Sequence, residues 1–557
     1  MLVVVVLPLV QLLSKSLMDE QDRFVGLANF INYFRTPSLA GSLVNSLYVA
    51  GVTTVISLVL GLGFAYALTR TCLPWTNVFL SLAMMPIFAP TLLNGITLVY
   101  LFGRKGLVTT GGLGWLQSYF GLNWGWDIGI YGATGIIMAE VIYTFPQVVL
   151  ILSISLRLTD SRLYEAAESL GATRIRTFFT VTMPSIKYGL ISAGFVCFIL
   201  CFTDFGAPKV VGGGYNVLAV DIYKQVIGQH NFVMGATVGV VLLAPTVLAF
   251  VLDRLSQRRQ VAVIAAKSVP RLPKPWPWRD YSFLVYCLLV TGVILGFYLT
   301  ALYASLVNVW PYKLQLTLRH YFFTGMGGGG YTALYNSIRM AFYSAVLGTF
   351  LSFFSAYMVE KSSGLRALRQ GAYFLSIMPL ALPGLVIGLA YIVFFNAPGW
   401  TVPVLGWRLP NPFNFLYSTM GILVLSNIVH FYTVSFLTAT AALKQLDREF
   451  EAISSSMGVP FYATFFRVTV PVCLPAILEI GLYYFVNSMA TVSAVIFLYS
   501  ADLQLASVAV ANMDDAGDVA PAAAMSVLIV LINLVVRFLF GLATGGLRKR
   551  GQAWVKG

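Results

Sequence analysis

The chain has 557 residues, of which 58% are hydrophobic and only 10% charged. Soluble domains carry about 25% charged residues, so this composition leaves too few charges to cover a soluble surface of that size. Aromatic residues at 14% exclude a disordered chain, and the net charge of +14 reads as basic loops on one side of a membrane rather than as a nucleic-acid surface.

An all-α polytopic membrane protein is therefore expected. A hydrocarbon core about 30 Å thick takes roughly 20 apolar residues as a helix. Apolar runs over 2–17, 42–69, 76–102, 129–156, 188–208, 233–252, 282–307, 332–359, 371–396, 419–442, 474–498 and 519–543 predict about twelve spans. The first run opens directly at Met1 without a basic segment before it, so no signal peptide is expected. It reads as a helix that is cut short, or one whose written start lies inside it. Prolines Pro86 and Pro90 in the third run, and Pro379 and Pro383 in the ninth, predict kinks that free backbone carbonyls.

Lysine and arginine set the expected orientation. With both termini in the cytoplasm, only eleven of the 35 basic residues fall in outer loops, and Arg548, Lys549, Arg550 and Lys556 mark the inner side. The segment 253–281 is basic and proline-rich, and is read as a cytoplasmic tether. The five cysteines form no CxxC, and are read as packing residues.

The chain repeats itself. Asn45-Ser46 matches Asn336-Ser337, Pro86 and Pro90 match Pro379 and Pro383, and Gly171 and Pro184 match Gly458 and Pro471, at offsets that drift only between 287 and 293. Residues 1–252 and 282–557 are thus read as two tandem six-helix halves running in the same direction, a parallel rather than inverted repeat.

Each half carries one regular loop between its fourth and fifth spans. The first reads Leu163-Tyr-Glu-Ala-Ala-Glu-Ser-Leu-Gly171 and continues to Pro184; the second reads Phe450-Glu-Ala-Ile-Ser-Ser-Ser-Met-Gly458 and continues to Pro471. Glycine and proline are thirteen residues apart in both. The pattern predicts a docking element. Glu165 opens a short helix near its positive end, Ala166 and Ala167 allow close approach, and Gly171 takes the left-handed turn that ends it. Phe178-Phe179 and Phe465-Phe466 present an apolar face, and each proline restarts a membrane helix.

These two loops resemble the EAA motif of binding-protein-dependent ABC importer permeases, and the resemblance runs through both halves. It implies the type I importer fold in fused two-half form. It also implies a bacterial inner-membrane location, two partner ATPase subunits and a periplasmic solute-binding protein. The loops would be coupling helices seated on the ATPases, through Glu165, Ala166, Ala167 and Gly171 and through Glu451, Ala452, Ile453 and Gly458. Ala452 stands where the first copy has Glu165, and Ser454 where it has Ala167, which predicts unequal contacts. The fused form is similar to iron(III), thiamine and 2-aminoethylphosphonate permeases, and the second loop looks most like the last group, so the resemblance implies 2-aminoethylphosphonate as the expected cargo.

No Walker A sequence occurs, so ATP belongs to the partner and the chain itself is expected to hold no cofactor, metal or catalytic residue. A translocation path is expected along Asp204, Asn487, Ser488 and Thr491. Glu140, His430 and Glu479 are the other intramembrane ionisable groups. An ion-coupled secondary transporter is the alternative, but it predicts a mid-membrane relay and often inverted repeats. A membrane enzyme would need clustered ligands or a nucleophile with its base, and His230, His320 and His430 are widely spread.

Overall fold

The computed structural model describes residues 1–112, 125–263, 271, 273–323, 329–361, 366–401, 408–446, 453–454 and 456–555. The principal helices of the first repeat are α1 (Leu7–Ser16), α2 (Pro37–Arg70), α3 (Thr76–Ala83), α4 (Thr91–Phe102), α5 (Ala133–Arg157), α6 (Ser161–Ser169), α7 (Met183–Thr203), α8 (Gly206–Val211) and α9 (Phe232–Val263). Those of the second are α10 (Pro277–Leu306), α11 (Gly330–Lys361), α12 (Arg366–Ile377), α13 (Gly384–Phe395), α14 (Met420–Lys444), α15 (Val470–Ala490), α16 (Ala506–Asp515) and α17 (Val519–Val555).

Among the described residues nine helices are long and apolar enough to cross a membrane, and two bent pairs bring the number to eleven. The remaining run of the expected twelve is the shorter apolar helix Leu2–Ser16.

The bent pairs are α3 with α4, at 102°, and α12 with α13, at 109°. Each is more than a kink, and proline chemistry explains it. Pro90 forces Ala89 out of the helical region to ψ 140°, and Pro383 forces Leu382 to ψ 118°. Each proline then caps a new helix starting at the next residue.

The repeat is visible in hydrogen bonds as well as in sequence. Ser46 Oγ accepts from the Leu218 amide at 2.9 Å, and Ser337 Oγ accepts from the Ala506 amide at 2.8 Å. Asn45 Nδ2 donates to Asn216 O at 3.0 Å, and Asn336 Nδ2 donates to Gln504 O at 3.2 Å.

Packing divides the chain along a line different from the repeat boundary. One compact unit is Phe34–Asp221 with Ala244–His320; the other is Met1–Tyr33, Ile222–Leu243 and Tyr321–Gly557. In the former, α2, α5 and α7 enclose a core of Ala65, Val148, Leu152, Leu156, Ile186, Ala193 and Cys197. Ser57 and Thr144 share a 2.9 Å hydrogen bond between α2 and α5. The first helix of the second repeat, α10, packs here against α2, α3 and α4. Its Tyr286 hydroxyl donates to Leu60 O at 2.7 Å, and its Tyr298 hydroxyl to Asn94 Oδ1 at 3.0 Å. In the other unit α11, α14 and α15 pack together, and α1, the first helix of the first repeat, lies on α13. There the Tyr391 hydroxyl donates to Val4 O at 2.7 Å. Each repeat thus gives its first helix to the helices of the other.

Candidate functional site

The first loop helix, α6, is capped by Asp160, whose carboxylate accepts from the Arg162 amide at 3.1 Å. The helix therefore starts four residues before Glu165, which lies mid-helix rather than at its positive end; Asp160 takes that place. The helix ends as its glycine requires. Gly171 has φ +71°. Its amide donates to Glu168 O and the Ala172 amide to Ala167 O, both at 3.0 Å. This paired closure satisfies the last carbonyls of a helix and needs a left-handed residue.

Tyr164 and Ala167 face inward, whereas Glu165, Ala166 and Gly171 are exposed. Around them stand Leu163, Leu170, Ile175 and Phe179, all exposed, Leu170 by 86%. An apolar patch on a polar loop, next to a glycine with nothing near its missing side chain, has the character of a docking surface.

In the second copy Glu451 and Ala452 lie outside the described residues. Ile453 is exposed, Gly458 has φ +68°, and the Val459 amide closes onto Ser454 O at 3.0 Å as in the first loop. Met457, Phe461 and Tyr462 are exposed beside it. Ser454, like Ala167, is buried, and its hydroxyl bonds that of Thr464. That difference between the copies faces the protein's own interior rather than the outer face.

Beyond each loop the expectation of a fresh helix start is corrected. Arg174–Thr203 and Phe461–Ala490 are each a continuous 30-residue helix. Pro184 and Pro471 sit inside them, two residues past the ends of π-helical turns over Phe178–Thr182 and Phe465–Thr469. The extra residue of a π-turn relieves the clash that a proline ring makes with the carbonyl four residues back. The phenylalanine pairs also divide. Phe178 packs on Tyr66 at 6.0 Å between ring centres and Phe465 on Tyr357 at 4.8 Å, while Phe179 and Phe466 point outward. Phe465→Ala is expected to cost about 3 kcal/mol of stability and Phe466→Ala almost none, read as the Tm of the purified chain.

Sequence reasoning missed the partner of α6. The tether does more than connect. Lys274 Nζ lies 3.0 Å and Arg271 Nη2 3.3 Å from the Glu168 carboxylate. Arg271 also lies 3.9 Å over the Tyr164 ring, and Arg174 lies 3.7 Å over Trp276. The Lys274 hydrogen bond and charge, helped by Arg271 and Arg174, hold the Glu168 carboxyl below its ordinary value. The signal was the gathering of three basic residues and two tryptophans between Arg271 and Arg279, which a plain tether does not need.

The expected path residues occupy matching places in their own units. Asp204 ends α7 at φ −69°, ψ 140°, and Thr491 ends α15 at φ −73°, ψ 140°. Asp204 Oδ2 accepts from the Ala207 amide at 3.0 Å, tying it to α8. Thr491 O accepts from Ser507 Oγ at 2.7 Å. Asn487 Nδ2 is spent on Tyr483 O at 2.8 Å, and the Ser488 hydroxyl is buried without a partner. Glu140 on α5 is fully buried with its carboxyl beside that of Asp204, so the two acids share one place in their unit, and His430 Nδ1 on α14 lacks a partner. Glu479 is exposed. Cys197, Cys201, Cys287 and Cys473 are buried free thiols and Cys72 is exposed. Among the described residues no three His, Cys, Asp or Glu side chains group as metal ligands.

Comparison with known proteins places this geometry. The family model described as "Binding-protein-dependent transport system inner membrane component" matches twice, over residues 55–261 and 345–549. A ferric transport system permease protein of Actinobacillus pleuropneumoniae is 28% identical over 90% of this chain and 71% of its own. A Salmonella typhimurium permease protein named for 2-aminoethylphosphonate transport is 26% identical over 42% of this chain and 81% of its own. A chain of a bacterial alginate ABC transporter, solved with an alginate-bound periplasmic protein, has a TM-score of 0.38 at 14% identity, covering 48% of this chain and 92% of that one. The two family matches fall one on each repeat, each spanning its loop helix and π-turn; the chain belongs to the binding-protein-dependent inner-membrane transport components, as a fused, two-unit ABC importer permease.

Proposed function

We propose that α6 and its counterpart ending at Gly458 are the two places where ATPase subunits drive this permease, one subunit on each. The observation that carries the reading is the paired exposed apolar face beside a glycine-terminated helix, present in both repeats. Both termini and both loops then lie in the cytoplasm, and a solute-binding protein meets the opposite face. ATP draws the ATPases together, the loop helices move with them, and the continuous helices beyond the π-turns carry that movement into the membrane. A ligand shifts such an equilibrium only through contacts that differ between its states. The exposed residues Glu165, Ala166 and Ile453 and the two glycines supply those contacts, and Asp204 at the end of α7 and Asn487, Ser488 and Thr491 at the end of α15 are the path residues we assign to their own units.

For the cargo we favour ferric iron over 2-aminoethylphosphonate. Likeness to the ferric permease extends over both repeats, whereas likeness to the phosphonate permease covers 42% of this chain. The test is uptake into proteoliposomes holding this chain with its ATPase, supplied with binding protein loaded with ferric iron, 2-aminoethylphosphonate or thiamine. Iron uptake that requires ATP supports both parts of the reading. ATP-dependent uptake of another solute replaces the cargo and keeps the coupling; uptake without ATP removes the coupling.

A further inference from the structure

Where the tether meets α6, the described residues enclose a cavity of about 410 Å³. Five cations line it, Arg70, Arg174, Arg271, Lys274 and Arg279, with aromatic walls from Tyr66, Tyr164 and Trp276. Two carboxylates answer them: Glu168 is shared by Arg271 and Lys274, and Asp280 is held by Arg279 at 2.7 Å.

Arg70 is the informative member. Its side chain sits in a residue only 6% exposed. Nη2 donates to Leu156 O at 2.6 Å and to Thr159 Oγ1, both neutral acceptors, and Nε has no partner. Arg70 and Arg271 lie 5.2 and 3.9 Å from the centre of one phenol ring, that of Tyr164. Two guanidinium groups crowded on one ring, one of them buried with a donor unspent, are a costly arrangement unless an anion joins them. Arginine forks suit the oxygens of a phosphate.

The position of the cavity points to the source of that anion. Arg70 is the last residue of α2, Arg174 opens its 30-residue helix and Trp276 precedes α10. All three helices are of membrane length, and all three end here. Trp75, Trp278 and Tyr281 stand exposed beside these ends, 82% for Trp278, as aromatic residues do at the headgroup level.

We propose that this cavity binds a phosphate-bearing anion, the headgroup of an anionic phospholipid. The occupant competes with Glu168 for Arg271 and Lys274, and so loosens the tether from the loop helix.

The test uses the full purified chain titrated with phosphatidylglycerol or phosphatidylcholine and read by native mass spectrometry, with inorganic phosphate in a separate arm. Saturable retention of one phosphatidylglycerol is expected, with no such site for phosphatidylcholine. Arg271→Gln with Lys274→Gln should weaken the site about 25-fold, at roughly fivefold for each basic residue. Glu168→Gln frees the same two cations and should tighten it, an effect that misfolding does not imitate. Saturable inorganic phosphate binding with the same response to these variants, and without lipid retention, assigns the site to a soluble phosphate and upholds the anion chemistry. Equal retention of the two lipids, or phosphatidylglycerol affinity indifferent to both sets of variants, overturns the proposal.

Discussion

Replacing Gly171 with Asp is expected to cut ATP-driven uptake more than tenfold while the chain remains at its normal level in the membrane. Gly171 holds φ +71°, where an ordinary side chain costs about 1–2 kcal/mol. Asp and Asn tolerate that region better than most residues. Nothing in this chain lies within 4 Å of the added carbon, so the fold meets no clash. The loss must then arise on the outer face, where a carboxylate would enter an apolar contact beside Leu170. Gly171→Asn separates the causes: it tolerates the same backbone without charge and should retain more uptake. Gly458, at φ +68° and equally open, should behave alike, and the double Asp variant should leave no coupled uptake. Full uptake in the double variant would remove these helices from the coupling path.

Gly384→Thr is expected to destabilise the chain by about 2 kcal/mol, and Ser493→Gly added to it should restore most of that loss. A carbon on Gly384 would stand 2.3 Å from Ser493 Oγ, with the Ala494 amide at 3.2 Å. The first repeat makes the same contact with the small partner on the other side: a carbon on Gly206 would stand 2.2 Å from Thr91 Oγ1. Thr91 and Gly384 follow the prolines that break the two bent pairs, and Gly206 and Ser493 each lie two residues beyond the matching C-caps, Asp204 and Thr491. The double variant therefore transplants the first repeat's solution into the second. Tm values of the two single variants and the double, followed by intrinsic fluorescence, give the coupling; additive losses would show that the contacts are not interchangeable.

The apolar runs made the spans legible, because burial in lipid leaves a continuous signal that needs no knowledge of neighbours. The duplication was legible for a similar reason, since Asn45-Ser46 and Asn336-Ser337 hold the same backbone partners in each copy. Local signals with two solutions were less legible. Pro90 announces an interruption, but whether the next helix continues or turns by 102° depends on what packs around it. Pro184 reads equally as a helix start or as the far side of a π-turn. Phe178 and Phe179 are adjacent apolar letters, and only the helix phase sends one to Tyr66 and the other outward. The clasp of Glu168 by Arg271 and Lys274 joins residues about a hundred positions apart, with no repeat to advertise it.

The exchange of first helices has a consequence for how the protein is made. The partner of Val4 is Tyr391, 387 residues later. At roughly 5–20 residues per second, α1 has been synthesised for about 20–80 s before the helix it packs against exists. The helix α10 waits for nothing, because α2, α3 and α4 precede it on the ribosome. Biosynthesis of the two repeats is thus unequal although their folds are alike. The nascent chain holds one short helix apart from α13 while more than three hundred residues are added, and that packing must wait until α13 has been made.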